Sequence, residues 1–226
     1  MVNSSRSGHA PARARVRRGS AEDHDGQRQR IVNAAFAVHR RSGIGALSMR
    51  TLAAELGLSA MALYRYFPSK GDLLRAMWEV VLTDARSEVG AAMARCPTAR
   101  ERLRASIESF LLFWETRPAQ FALVYMTPET MLPGSELEAL TREPAYRRAV
   151  DLVVPLIDEL VAEIGGDARR ARLARDLRMS LMVGYLHARI VNTRYPWGDF
   201  DALRASTIDT IAAGVEACLK AAPPRA

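Results

Sequence analysis

Between Ser48 and Lys70 the chain reads Ser-Met-Arg-Thr-Leu-Ala-Ala-Glu-Leu-Gly-Leu-Ser-Ala-Met-Ala-Leu-Tyr-Arg-Tyr-Phe-Pro-Ser-Lys, and few local structures satisfy that order. Leu52, Ala53 and Leu56 fall on one face of a short helix, and Gly57 stands where the chain must turn sharply. Leu58 fills the corner, and Ser59 is placed to cap a second helix through its hydroxyl. Leu63 and Tyr66 then recur at helical spacing on the inner face of that second helix, while small Ala53 lets the two helices approach. The positions left facing outward are Ala60, Met61, Tyr64 and Arg65. Two short helices with such an outward face have the shape of a unit that lays its second helix in a DNA major groove. Spacing alone leaves an ordinary helical hairpin open as the other reading.

The next residues narrow the choice. Pro68 disfavours helix at Phe67 and so closes the second helix, and Ser69 with Asp72 three residues on opens another. Lys70 therefore lies at a helix start, where a cation opposes the macrodipole and an outside anion such as a phosphate offsets it. Apart from Lys70 and Lys220 the long basic side chains are all arginine.

Taken together, Arg30 to Leu74 resembles the N-terminal domain of TetR-type (TetR/AcrR) transcriptional repressors. The resemblance rests on Ile31, Ala34, Ala35 and Gly43, on Ser48 with Leu52-Ala53, on Gly57-Leu58-Ser59, on Leu63-Tyr64 with Tyr66-Phe67, and on Ser69-Lys70 with Leu73-Leu74. It implies DNA contacts from Ser48, Arg50, Ser59, Ala60, Met61, Tyr64, Arg65, Tyr66 and Lys70. Tyr64 and Lys70 resemble the family's phosphate-contacting pair, which positions the protein without reading sequence. Two residues depart from the pattern: His39 stands where the family usually has phenylalanine, and Ala62 where serine or threonine is common. His39 is read as a partly exposed packing residue. The loss of a hydroxyl at Ala62 leaves Arg50 and Arg65 as the hydrogen-bonding base readers, with guanine preferred, and gives Ala60, Met61 and Ala62 only apolar partners such as the thymine methyl.

A chain of 226 residues holds a small head and a larger body with its own core. The expected division is a disordered basic arm over 1–26, a helix-turn-helix domain over 27–72, and an effector-binding and dimerisation domain over 73–226. The arm carries Arg6, Arg13, Arg15, Arg17 and Arg18 without apolar periodicity, so it is expected to be unstructured and lacks the apolar core of a secretory signal. It reads equally as a phosphate-tracking arm and as an inert extension. A net charge of +7 favours an acidic polymer as partner. No apolar run reaches membrane length, and Cys96 and Cys218 show neither metal-ligand spacing nor a disulfide framework, so a cytoplasmic location without a membrane is expected.

Beyond Leu74 the pattern is helical throughout, giving an all-α chain. One long helix is expected from Lys70 to about Ala94, one from about Thr98 to Thr116, and a short one from Pro118. The stretch from Thr127 to Pro144 is expected to be a loop, broken by Pro128, Pro133, Gly134 and Pro144. A helix from Ala145 to about Ile164 contains Pro155 in its interior and should kink there. Gly165-Gly166 ends it, and Asp167 caps a helix with Leu173, Leu177, Leu181, Gly184, Ala188 and Val191 in step; a last helix carries Leu203, Ile208, Ile211, Ala212, Val215 and Leu219. Both stripes suit a four-helix interface between two copies, as the resemblance also implies, or else burial within one subunit.

The resemblance further implies a small hydrophobic effector held in the body. Its candidate lining is Phe110, Phe113, Trp114, Phe121, Tyr125, Met126, Met131, Met182 and Tyr185, with His187 and Arg189 as polar anchors. An enzyme is not expected. His9, His24, His39 and His187 are too scattered to bind a metal, and no nucleophile elbow or P-loop is present, so neither metal nor cofactor is called for. The function read from the sequence is a ligand-released repressor that binds a pseudo-palindromic operator as a homodimer. The alternatives are a helical ligand-binding or scaffolding protein with degenerate DNA recognition, and a transcriptional activator of the same fold.

Overall fold

The computed structural model describes residues 12–127 and 144–221. No strand occurs among them. The α-helices are α1 (Ala12–Ser42), α2 (Met49–Glu55), α3 (Ala60–Tyr66), α4 (Lys70–Met93), α5 (Ala99–Glu115), α6 (Pro118–Tyr125), α7 (Pro144–Asp151), α8 (Val154–Ile164), α9 (Ala171–Val191) and α10 (Phe200–Lys220). Short 3-10 turns at Ile44–Ala46 and Ala168–Arg170 precede α2 and α9. Contacts divide the chain into two compact units, residues 1–73 and 74–226.

In the first unit, Ile31, Ala35 and Val38 recur at helical steps on α1 and are buried together with Leu47, Leu52, Ala53, Leu63 and Phe67. Each of the short helices is closed by its own cap. Ser48 Oγ accepts from the Thr51 amide at 3.1 Å, and Ser59 Oγ accepts from the Ala62 amide at 3.1 Å. Between them Gly57 takes φ 66°, and the Leu58 amide donates to the Ala53 carbonyl at 2.9 Å, so α2 ends in a left-handed turn that suits glycine. His39 is buried rather than partly exposed.

The expected disordered arm needs correction over its second half, because α1 begins at Ala12. Alanine and arginine are strong helix formers, and residues 12–26 continue without a break into the turns that pack from Ile31 onward. Residues 1–11 lie outside the described residues.

In the second unit α5 is central. Its stripe Leu103, Ile107, Leu111 and Trp114 is buried with Leu156, Ile157 and Leu160 of α8 and Ile211, Val215 and Leu219 of α10. A capping box between Thr98 and Glu101 starts α5. Ion pairs Arg102–Glu159 at 2.7 Å and Arg100–Glu216 at 3.1 Å tie it to α8 and α10. Gly165 ends α8 in the left-handed conformation at φ 65°, and Gly166 lies so near α10 that an added Cβ would sit 3.2 Å from the Leu219 Cβ.

Three expectations are revised in this unit. Pro155 does not kink a continuous helix. α7 stops at Asp151 and α8 begins at Val154 with the proline in its first turn, where the missing N–H is no loss. The stripe expected to pack α10 on another copy is instead buried within one subunit, since Ile208, Ile211, Ala212, Val215 and Leu219 are core residues. The α9 stripe divides the other way: Leu173, Leu181 and Val191 are 53%, 38% and 40% exposed, while Ala174, Arg178, Met182 and Leu186 form the buried face. The loop expected from Thr127 to Pro144 falls, except for its two ends, outside the described residues.

Candidate nucleic-acid interface and body cavity

The capping of α3 fixes which side chains it presents. With Ser59 at the cap and Leu63 buried, Ala60, Met61, Tyr64 and Arg65 all face outward. Met61 is 80% exposed and Tyr64 48%, a large apolar and aromatic commitment to solvent for a helix of seven residues. Arg50 and Arg65 are exposed, and neither forms an ion pair among the described residues. They are therefore unencumbered donors beside that apolar surface. Lys70, half-buried at the first position of α4, has its ammonium pKa lowered by desolvation.

Some residues expected in the interface have other partners. Ser48 and Ser59 use their hydroxyls as helix caps, and Ser48 is also hydrogen-bonded to the Thr51 hydroxyl. Tyr66 is half-buried, its ring centroid 4.8 Å from that of His24, so its side chain is turned toward α1. Sequence reasoning missed Arg28, which donates to the Tyr66 carbonyl at 2.6 Å and lies 4.3 Å over the Phe67 ring. It binds α1 to the last turn of α3 and so fixes the pose of the outward face. No local motif marks it, because its partners are 38 residues away. Arg41 does the same for α2 through a pair with Glu55 at 3.1 Å.

The body contains a cavity of about 350 Å³ with a largely apolar wall from α4, α5, α7 and α9. Of the residues expected to line a ligand site, Phe110, Trp114 and Tyr125 lie on the wall of this cavity. The others lie elsewhere. Phe113, Phe121 and Met182 are buried in the core, Met126 and His187 are exposed, and Met131 lies outside the described residues. Tyr185 donates to Glu115 at 2.6 Å, and burial and that bond push its phenol pKa up. Glu115 is held from the other side by Arg204 at 2.7 Å, and Arg189 stacks 3.6 Å over the Phe200 ring, so Tyr185 and Arg189 are engaged away from the cavity wall.

The wall is completed by residues the sequence reading passed over, among them Leu82 and Val89 of α4, Leu152 and Val153 at the α7–α8 break, and Arg178 and Met179 of α9. Arg178 is only 5% exposed. Its Nη2 donates to Ser106 Oγ at 3.1 Å, and the Ser106 hydroxyl in turn donates to the Leu103 carbonyl at 2.7 Å. Desolvation lowers the guanidinium to about 10, with the Tyr125 phenol acting weakly the other way. The signal for Arg178 was present: it stands four residues from both Ala174 and Met182, in step with the buried face.

With this geometry in view, residues 31–77 match the profile of the bacterial regulatory proteins of the tetR family. Over 52 residues the chain is 50% identical to the HTH-type transcriptional repressor DrrR1 of Streptomyces coeruleorubidus, covering 23% of this chain and 19% of that protein. It is 27% identical over 179 residues to the HTH-type transcriptional activator FasR of Mycolicibacterium smegmatis, covering 79% of this chain and 76% of that one. The chain thus spans about a fifth of the first relative and about three quarters of the second. The fold resembles that of a TetR variant from Acinetobacter baumannii AYE, solved with minocycline, at a TM-score of 0.58 and 20% identity over 84% of this chain and 97% of that one.

Proposed function

We propose that this chain, whose residues 31–77 match the profile of the tetR-family bacterial regulatory proteins, is a regulator of that kind that binds a pseudo-palindromic DNA operator as a homodimer and acts as a repressor that a small apolar effector releases. The observation that carries the DNA-binding half is the outward face of α3, where Met61, Tyr64 and Arg65 stand exposed on a helix locked by its cap and by Arg28. Arg65 and Arg50 supply guanine-directed donors, Met61 meets thymine methyl groups, and Tyr64 and Lys70 hold phosphates. The exposed leucine stripe of α9 supports an isologous dimer, which would set two such helices about one helical turn apart, on the order of 34–36 Å. The apolar cavity supports the effector half, and the minocycline complex of the Acinetobacter protein is consistent with ligand space in this fold.

Similarity to FasR, named an activator and matched over most of the chain, favours a second reading in which the same binding event recruits rather than blocks polymerase. The test is fluorescence anisotropy against duplexes tiling the DNA beside the gene, with nonspecific competitor, for the wild type and Arg65→Ala. Competitor-resistant binding to one tile, weakened in the variant by about 1–3 kcal/mol, is the expected result. Equal weak binding to every tile would overturn sequence-specific recognition. In vitro transcription from the bound promoter then separates a repressor, which lowers the transcript, from an activator, which raises it.

A further inference from the structure

A buried cation without an anion beside it is unusual, because removing a charge from water is strongly unfavourable unless a counter-charge or a full set of hydrogen bonds replaces the lost hydration. Arg178 is in that position. Among the described residues no carboxylate pairs with it, its Nε has no hydrogen-bond partner, and Ser106 supplies a neutral oxygen to one amino group only. Among the described residues Asp176 is the one acid on the cavity wall, and it is solvent-exposed and leans toward Arg172 at 3.9 Å. A second buried donor on the same wall, the indole Nε1 of Trp114, also lacks an acceptor. The rest of the wall is mainly aliphatic and aromatic.

We propose that this cavity takes an apolar molecule bearing one carboxylate, whose headgroup pairs with the Arg178 guanidinium while its tail lies against Leu82, Val89, Phe110 and Trp114. The planar fork of arginine matches a carboxylate with two parallel hydrogen bonds, and the low-polarity wall strengthens them. At the roughly 30 Å³ that a water-sized group occupies, the cavity's volume of about 350 Å³ accommodates on the order of a dozen non-hydrogen atoms. Decanoate has that size. The assignment rests on reading the body as the effector-binding part, and it adds the charge class of the effector.

Isothermal titration calorimetry of the full chain with decanoate and with decanol, its uncharged counterpart, tests the proposal without DNA. The expected result is at least tenfold tighter binding of decanoate by the wild type, a preference that falls to within twofold in Arg178→Met and persists in Arg175→Gln, which changes another arginine on the wall. Equal binding of the two compounds, binding of neither, or a preference that survives in a folded Arg178→Met protein would overturn it. If Arg178→Met fails to fold, the wild-type pair of titrations still decides. Operator release, read separately by anisotropy, keeps the two levels apart. Decanoate that binds with the expected preference but leaves the operator complex intact would remove the ligand-release reading and leave this site assignment standing. Release by a neutral compound, with decanoate inert in both assays, would do the reverse.

Discussion

Lys70 carries opposing demands in one side chain. It sits at the positive end of α4 and is half-buried, so its ammonium is held in place against both the helix dipole and its own hydration. A phosphate oxygen would relieve both. Lys70→Met keeps the apolar stem and removes the charge, and is expected to stabilise the free protein by about 0.3–1 kcal/mol in urea denaturation. The same variant should bind operator more weakly, with the slope of log K against log salt shallower by about 0.9. A variant that loses both stability and affinity would show that the ammonium has a structural partner instead. Residues of this kind are legible in a sequence because their position relative to a cap is local. Arg178 was not legible in the same way, although it stood in step with Ala174 and Met182. Hydrophobicity drew attention to Leu173, Leu177 and Leu181, and an arginine in the other stripe reads as solvated until its burial is known. Tyr185, expected on the lining, and Arg189, expected as an anchor, are instead held by Glu115 and Phe200, pairings that no local pattern announces.

At the scale of elements, caps and breakers were read correctly where the physics is short-range. Ser59, Ser69 and Gly165 close or open the helices they were expected to, whereas Asp167 caps the 3-10 turn Ala168–Arg170 and not α9 itself, whose first turn follows Arg170 without a side-chain cap. Pro155 shows the limit of such reading, since a proline inside an apolar run marks either a kink or a new start, and only the packing of Leu152 and Val153 beside the cavity decides. The two cases differ in energy. In a helix interior Pro155→Ala would stabilise by roughly 3 kcal/mol. In the first turn of α8 the change is expected to stay within about 0.5 kcal/mol by thermal or urea denaturation, because the missing donor has no helical partner there. The glycines give a paired test. Gly57 has φ 66° and open space around it, so Gly57→Ala should cost roughly 1–2 kcal/mol from backbone conformation alone, and Gly57→Asn distinctly less. Gly166 is confined instead by Leu219, so Gly166→Ala should destabilise through overpacking by roughly 1–3 kcal/mol, and asparagine should bring no relief. Denaturation midpoints of the four variants separate conformational from steric cost.

For the whole molecule, the unexplained surface is on α9. Leu173, Leu181 and Val191 stand exposed along one face, with Gly184 and Ala188 between them in the same helical register, whereas the large side chains of α10 are spent on the subunit's own core. The outward positions of α10 mix the alanines Ala202, Ala205, Ala213 and Ala217 with Asp201, Asp209, Thr210 and Lys220. The exposed leucine seam of α9 would therefore supply the apolar contact between two copies. Leu181→Arg, with a charge in the middle of the seam, is therefore expected to convert a dimer at micromolar concentration into a monomer in sedimentation velocity. Leu112→Arg, at an equally exposed leucine on α5, should leave the dimer intact. The consequence for DNA follows from linkage. A dimer presents its second α3 at high effective concentration once the first is bound, a gain of about 10²–10⁴ in affinity that a monomer forfeits. Leu181→Arg should thus bind a full operator no more tightly than a single half-site, while Arg65→Ala, still dimeric, should keep the ratio between full and half sites and lose affinity at both. If the Leu181 variant stays dimeric, the seam belongs to another partner and the two recognition helices must be paired by a different surface.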